Sequence, residues 1–174
     1  MYKLRELRKT DMPKINEWRN DSELIAYLGA SFRYINLDVE YLWYENYMSN
    51  RNNTVRCVIV DAADDENALG LVSLTDINTI NQTADFHIMI GDTANRGKGI
   101  GQFATNEMLN HAFNNLNLHR VELEVLESNL HARNLYKKVG FVQEGIKRQS
   151  IYKNGRFVDM ITMAILKEDF SSIR

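Results

Sequence analysis

The residues Arg96-Gly97-Lys98-Gly99-Ile100-Gly101 are the densest concentration of chemistry in this chain. They follow an apolar run ending at Gly91 and open an amphipathic stretch from Ile100 to Phe113. A strand, a glycine turn and a helix start, in that order, build an anion site. Glycine tolerates positive φ and lets backbone approach a ligand closely. The first amides of the helix have no internal partner, and the helix dipole makes that end positive. A phosphate or pyrophosphate is the natural guest. Two familiar nucleotide motifs do not fit. A Walker loop ends in Gly-Lys-Ser/Thr, whereas Gly97-Lys98 is followed by Gly99 and offers magnesium no hydroxyl. The dinucleotide fingerprint wants GxGxxG early in a βαβ unit. Here the glycines alternate, and they lie in mid-chain.

Proton-transfer groups lie on either side of this turn. Asp85 and His87 are two residues apart on the strand before it and share one face. A histidine with an ordinary pKa suits proton transfer near neutral pH and equally describes a half-buried structural residue, and a carboxylate there serves as a base, an amine-orienting group or a structural acid. Tyr136 has helical spacing with Ala132 and Val139, which by itself describes a core aromatic. Cys57 is mid-strand on the face of Val55 and Ile59, with no matched histidine partner, and reads as a packed thiol rather than a nucleophile. There is no CxxC or HExxH, and His87, His111, His119 and His131 are scattered, so no protein metal site is expected.

The elements that must hold these groups follow from periodicity. Strands are expected at Tyr2–Leu7, Thr54–Asp61, Leu69–Ile77, Ala84–Ile90, Val121–Val125, Phe141–Gly145 and Phe157–Leu166. A first helix starts near Thr10 or Asp11, with Pro13 in its first turn, and carries Ile15, Trp18 and Arg19. Further helices are expected at Asp38–Ser49, Ile100–Asn115 and Leu130–Lys138, the last stopped by Gly140. Hairpin turns are expected at Asp61–Asn67 and Lys153–Arg156. The result is one α/β (α+β) domain over residues 1–174, with a mixed, mostly antiparallel sheet flanked by helices. A formal net charge of −2 gives no general attraction for nucleic acid. The charged N-terminus does not read as a signal peptide, and no apolar run reaches membrane-spanning length. A cytoplasmic protein without nucleic-acid or membrane partners is expected.

Two blocks give the chain a family likeness. Arg96, Gly99 and Gly101 match Arg/Gln-x-x-Gly-x-Gly/Ala, and Asn129-x-x-Ala132-x-x-Leu135-Tyr136-x-x-x-Gly140-Phe141 follows about thirty residues later. In that order they resemble the GNAT N-acetyltransferase superfamily, most strongly from Leu69 to Leu166. Trp18-Arg19-Asn20-Asp21 and Leu118-x-Arg120-Val121-x-Leu123 are similar to its ribosomal-protein, polyamine and amino-sugar branches. The resemblance implies the GNAT fold, with acetyl-CoA at a splayed strand pair. It implies that Arg96, Gly97, Lys98, Gly99, Ile100 and Gly101 hold the pyrophosphate. The backbone of Ile88, Met89 and Ile90 then receives the pantetheine arm. Arg133 and Lys138 meet the remaining phosphate, and Asn129 orients the arm. Tyr136 takes the position of the family's general acid, and Asp85 that of its base or water-relayed base.

The acceptor stays open among a polyamine, a protein N-terminal amine and an amino-sugar. Glu17, Asp21 and Glu23, then Glu40 and Glu45, form small acidic clusters, and Trp18, Tyr27, Phe32, Trp43, Tyr44 and Tyr47 supply aromatic walls. A homodimer is expected, as in many members. The alternative to an enzyme is a non-catalytic acyl-CoA-binding or regulatory domain on the same fold.

Overall fold

The computed structural model describes residues 1–173, with side chains through Phe170. Seven strands form one sheet in the order β1-β2-β3-β4-β5-β7-β6. They are β1 (Tyr2–Glu6), β2 (Val55–Asp61), β3 (Asp64–Asn78), β4 (Thr83–Ile90), β5 (Arg120–Leu126), β6 (Val142–Lys153) and β7 (Arg156–Leu166). Helices α1 (Met12–Arg19), α2 (Ser22–Ala26) and α3 (Leu37–Ser49) precede β2. Helix α4 (Ile100–Asn110) links β4 to β5, and α5 (Leu130–Val139) links β5 to β6. Helix α6 (Lys167–Ile173) follows β7.

Strand alternation divides the core as the period of two requires. Ile59, Val72, Leu74 and Phe86 face α4 and α5, where Ile100, Ala104, Met108, Tyr136 and Val139 are buried. Val58, Val60, Leu71 and Met89 face the opposite side, against Met12, Ile15, Trp18, Leu24 and Tyr47. Every neighbouring pair is antiparallel except β4 and β5. Those two pair only at Thr83↔Arg120, Ala84↔Val121 and Asp85↔Glu122. Beyond that vertex they diverge. Residues 86–90 keep β3 on one edge and leave the other open.

Several expected boundaries move. The acidic turn contracts to Ala62 and Ala63, because β3 begins at Asp64. Helix α4 ends at Asn110, and residues His111–Asn115 form a wider π-type turn in which Leu116 N–H donates to the His111 carbonyl at 3.0 Å. Asp11 does start α1, but its carboxylate gives that helix no cap. It takes two hydrogen bonds from the Arg5 guanidinium, at 2.9 and 2.7 Å, in a pair nearly closed to solvent. Two short helices, α2 and α6, had no expectation, and β6 extends eight residues past Gly145.

Candidate active site

The opening between β4 and β5 is the floor of a cleft of about 1490 Å³. Its far end is the glycine turn. Gly97 and Gly99 adopt φ of 75° and 80°, in the left-handed region where other residues are strained. Gly99 is the N-cap of α4, so the amides of the next turn point out of the helix. A Cβ built at Gly97 or Gly99 would meet nothing within 4 Å, so the turn presents bare backbone to open space. This is a fit for a pyrophosphate.

Of the turn's side chains, Arg96 crosses to the opposite wall, its guanidinium carbon 4.6 Å from the Tyr27 ring centroid. Gly97, Gly99, Ile100 and Gly101 line the cleft, as do Ile88, Met89 and Ile90. Lys98 does not line it; its carbonyl accepts from the Tyr2 hydroxyl at 3.3 Å. Asn129 caps α5, accepting from Ala132 N–H at 3.1 Å, and donates from its amide to the Tyr27 carbonyl at 3.0 Å. Lys138 lines the cleft. Arg133 is turned away, donating to the Glu127 carbonyl at 2.8 Å.

The candidate proton-transfer residues Tyr136, Asp85 and His87 all line this cleft. Tyr136 comes from α5 and is 7% exposed, its ring against Phe86 and Phe141. Among the described residues its hydroxyl has no hydrogen-bond partner, while the residue lines the cleft. Burial pushes its phenol far above the ordinary value, so it stays protonated at any working pH. Asp85 sits at the last position of β4 that pairs with β5. Burial, and then the neighbouring carboxylates Glu122, Asp76 and Glu124, hold its carboxyl above the usual range. His87 lies two residues on, its Nε2 3.0 Å from Thr75 Oγ1. The surrounding walls, and then the Arg56 cation, push its pKa down and favour the neutral ring. Cys57 is raised to about 11 by burial and then by Glu6, so it is an inert thiol at neutral pH.

The model of the acetyltransferase (GNAT) domain matches residues 2–142. The chain belongs to the GNAT acetyltransferase family. It is similar to the spermidine N(1)-acetyltransferase of Vibrio cholerae serotype O1, 33% identical over 168 residues that cover 96% of this chain and 94% of that protein. The enzyme of the same name from Escherichia coli K12 is 29% identical over 170 residues, covering 97% of this chain and 87% of that one. The crystal structure of the Vibrio cholerae spermidine N-acetyltransferase in complex with CoA and spermine superposes with a TM-score of 0.90, at 32% identity and 98% coverage of each chain. Fold and family are thus those expected from the two sequence blocks. As a GNAT member the protein is an N-acetyltransferase with acetyl-CoA as acyl donor.

The vertex carboxylates had no role expected from the sequence. Glu122, Glu124 and Glu144 line the vertex side. Arg120 pairs with Glu122 at 2.9 Å and Glu144 at 2.5 Å, and Lys147 pairs with Glu124. On β5 the glutamates alternate with core residues, a pattern that also describes a plain solvated face. Lys153 is buried and donates to the carbonyls of Ile25, at 2.7 Å, and Ala30, fixing the 27–30 wall from β6. Of the expected aromatic walls, Tyr27 and Trp43 line the cleft, whereas Trp18 and Tyr47 are core. Among the described residues there is no cluster of three or more His, Cys, Asp or Glu placed to hold a metal ion. No helix among them is long and apolar enough to cross a membrane.

Proposed function

We propose that this protein transfers the acetyl group of acetyl-CoA directly to a primary amine, with a polyamine as acceptor. The observation that carries the reading is the single parallel strand pair, which opens past Asp85 and Glu122 with Tyr136 beside the opening and the bare glycine turn at its far end. The polyamine acceptor draws support from the spermidine enzymes the chain resembles. It also draws support from the carboxylates around the vertex, since charge-assisted hydrogen bonds to carboxylates suit ammonium groups.

In this reading the amine must first lose a proton. An alkylamine with a pKa near 10 is free base in fewer than about one molecule in a thousand at pH 7. Asp85 accepts that proton, directly or through water. The amine nitrogen then bonds to the acetyl carbon, the carbon–sulfur bond breaks, and Tyr136 gives its proton to the departing sulfur. The second proton lost by the nitrogen passes through water to the phenolate, and Asp85 releases its own proton to solvent. A phenol held protonated by burial suits a donor and not a base.

The test is release of coenzyme A thiol with spermidine as acceptor, for the wild type and Tyr136→Phe. We expect kcat to fall by about 10²–10⁴ while acetyl-CoA binds within about twofold of wild type. Undiminished turnover in Tyr136→Phe would remove the general acid. Acetyl-CoA binding without any turnover would leave a non-catalytic domain.

A homodimer and a cytoplasmic setting belong to the same proposal. The sheet ends in β6, which exposes Val142 and Ile146, and an open edge with apolar residues favours association. Sedimentation velocity reads the stoichiometry.

A further inference from the structure

One wall of the cleft carries the wrong charge for a polycation. Arg19 ends α1, Trp43 lies in α3 and Arg56 lies in β2, and all three line the cleft. Both guanidiniums rest on the Trp43 ring, their carbons 4.4 and 4.7 Å from its centroid. Arg19 has a partner: its Nη1 donates to Glu40 at 3.1 Å, and that carboxylate is fully buried. Arg56 has none. Among the described residues no carboxylate lies within ion-pair distance of it, and its Nε is buried without a hydrogen-bond partner. The one buried carboxylate of this wall is held by Arg19, and the uncompensated Arg56 faces the cavity. Burial of such a cation is costly unless an anion meets it.

The register places this group relative to the vertex. Arg56 is directly opposite Ser73, and Ser73 is directly opposite His87, so the three form one row across β2, β3 and β4. Two strand spacings separate Arg56 from His87, roughly 10 Å. Asp85 lies two residues along β4 from His87, roughly 7 Å. The row and Asp85 share one face of the sheet, opposite the face covered by α4 and α5.

We propose that Arg19 and Arg56, held on Trp43, form an anion subsite on the acceptor side of the cleft, which takes a carboxylate or phosphate group. A guanidinium fork matches both groups, and an indole ring holds such forks in place. The gap to Asp85 fits an acceptor whose anion lies several bonds from its reactive amine. The cleft then serves amines that carry an anionic group as well as polyamines. Only this source of the anion rests on the acetyltransferase reading; the subsite itself is read by binding.

The first arm titrates the full-length protein with inorganic phosphate and with glutarate while following tryptophan emission, since Trp43 lies against both guanidiniums. We expect a saturable change with at least one anion, weakened at least tenfold in Arg56→Gln and partly restored in Arg56→Lys. Acetyl-CoA binding by each variant shows that it folds. No saturable change with either anion, or a change that Arg56→Gln leaves untouched, would overturn the subsite. The second arm compares kcat/KM for an ω-amino carboxylate and the α,ω-diamine of equal chain length. A carboxylate-to-diamine ratio that drops at least tenfold in Arg56→Gln places the anion on the acceptor. An unmoved ratio beside a saturable titration keeps the subsite and assigns it a separate anion, overturning the acceptor assignment. Absence of thiol release from every amine would count against the acetyltransferase reading, while the titration still decides the subsite.

Discussion

Asp85 sits where three influences meet: partial burial, the facing Glu122, and more distant Asp76 and Glu124. All favour its protonated form, which is uncharged and cannot accept a proton. If Asp85 is the base, the rate is lost as pH falls through its raised pKa. Removing the Glu122 charge favours the ionised form of Asp85 and lowers that pKa. We therefore expect Glu122→Gln to move the acidic limb of the kcat/KM profile to lower pH. A limb that stays in place would assign it to another group, such as His87 two residues along β4. At this scale the sequence was legible where function is local. Tyr136 stands in a short block and Asp85 two residues from His87 on the strand before the glycine turn, and both line one cleft. Arg56 was illegible because its meaning depends on α1 and α3 arriving over β2, which no local spacing announces. Arg133 stands in the same block as Tyr136, but its guanidinium donates to the Glu127 carbonyl and does not line the cleft.

Elements decide whether the anion turn exists before its ligand arrives. Gly99 holds a left-handed φ as the N-cap of α4, and nothing crowds its missing side chain. A methyl group there meets no neighbour, so Gly99→Ala acts through backbone strain alone, about 1–2 kcal/mol for an L-residue in this region. We expect acetyl-CoA to bind roughly 5- to 30-fold more weakly, the same energy expressed as affinity, with little change in kcat at saturation. Calorimetric titration checks the first and steady-state kinetics the second. Weakened affinity requires that the free variant relaxes the turn and restores it on binding; unchanged affinity would mean that the strained turn persists in both states and the cost falls on folding stability. The strands around the turn were readable because alternating apolar residues fill opposite faces, as Cys57 and Val58 do on β2. The length of β6 was not. Most of that strand is exposed at the sheet edge, and its pairing with β7 shifts between Lys147 and Ile151, so no period of two survives. Helix α2 escaped notice because five residues carry too little periodicity.

Across the whole molecule a formal charge of −2 conceals a divided cleft. Around the vertex Asp76, Asp85, Glu122, Glu124 and Glu144 outnumber Arg120 and Lys147. On the other arm lie Arg19 and Arg56, the turn contributes Arg96, and α5 contributes Lys138. A single-sign patch in a concave site steers an oppositely charged ligand, and salt screens that steering. With acetyl-CoA saturating, kcat/KM for spermidine is expected to fall roughly tenfold as ionic strength rises from about 10 mM to about 300 mM. Glu124→Gln removes one acid remote from the reacting amine and makes that slope shallower. An ω-amino carboxylate is drawn by one arm and repelled by the other at long range, so its slope should be shallower still in the wild-type protein. If spermidine shows no salt dependence, the vertex carboxylates are neutralised by Arg120 and Lys147 and recognise the acceptor through short contacts only. If the amino carboxylate shows the steeper slope, the vertex and not the arginine pair governs its approach.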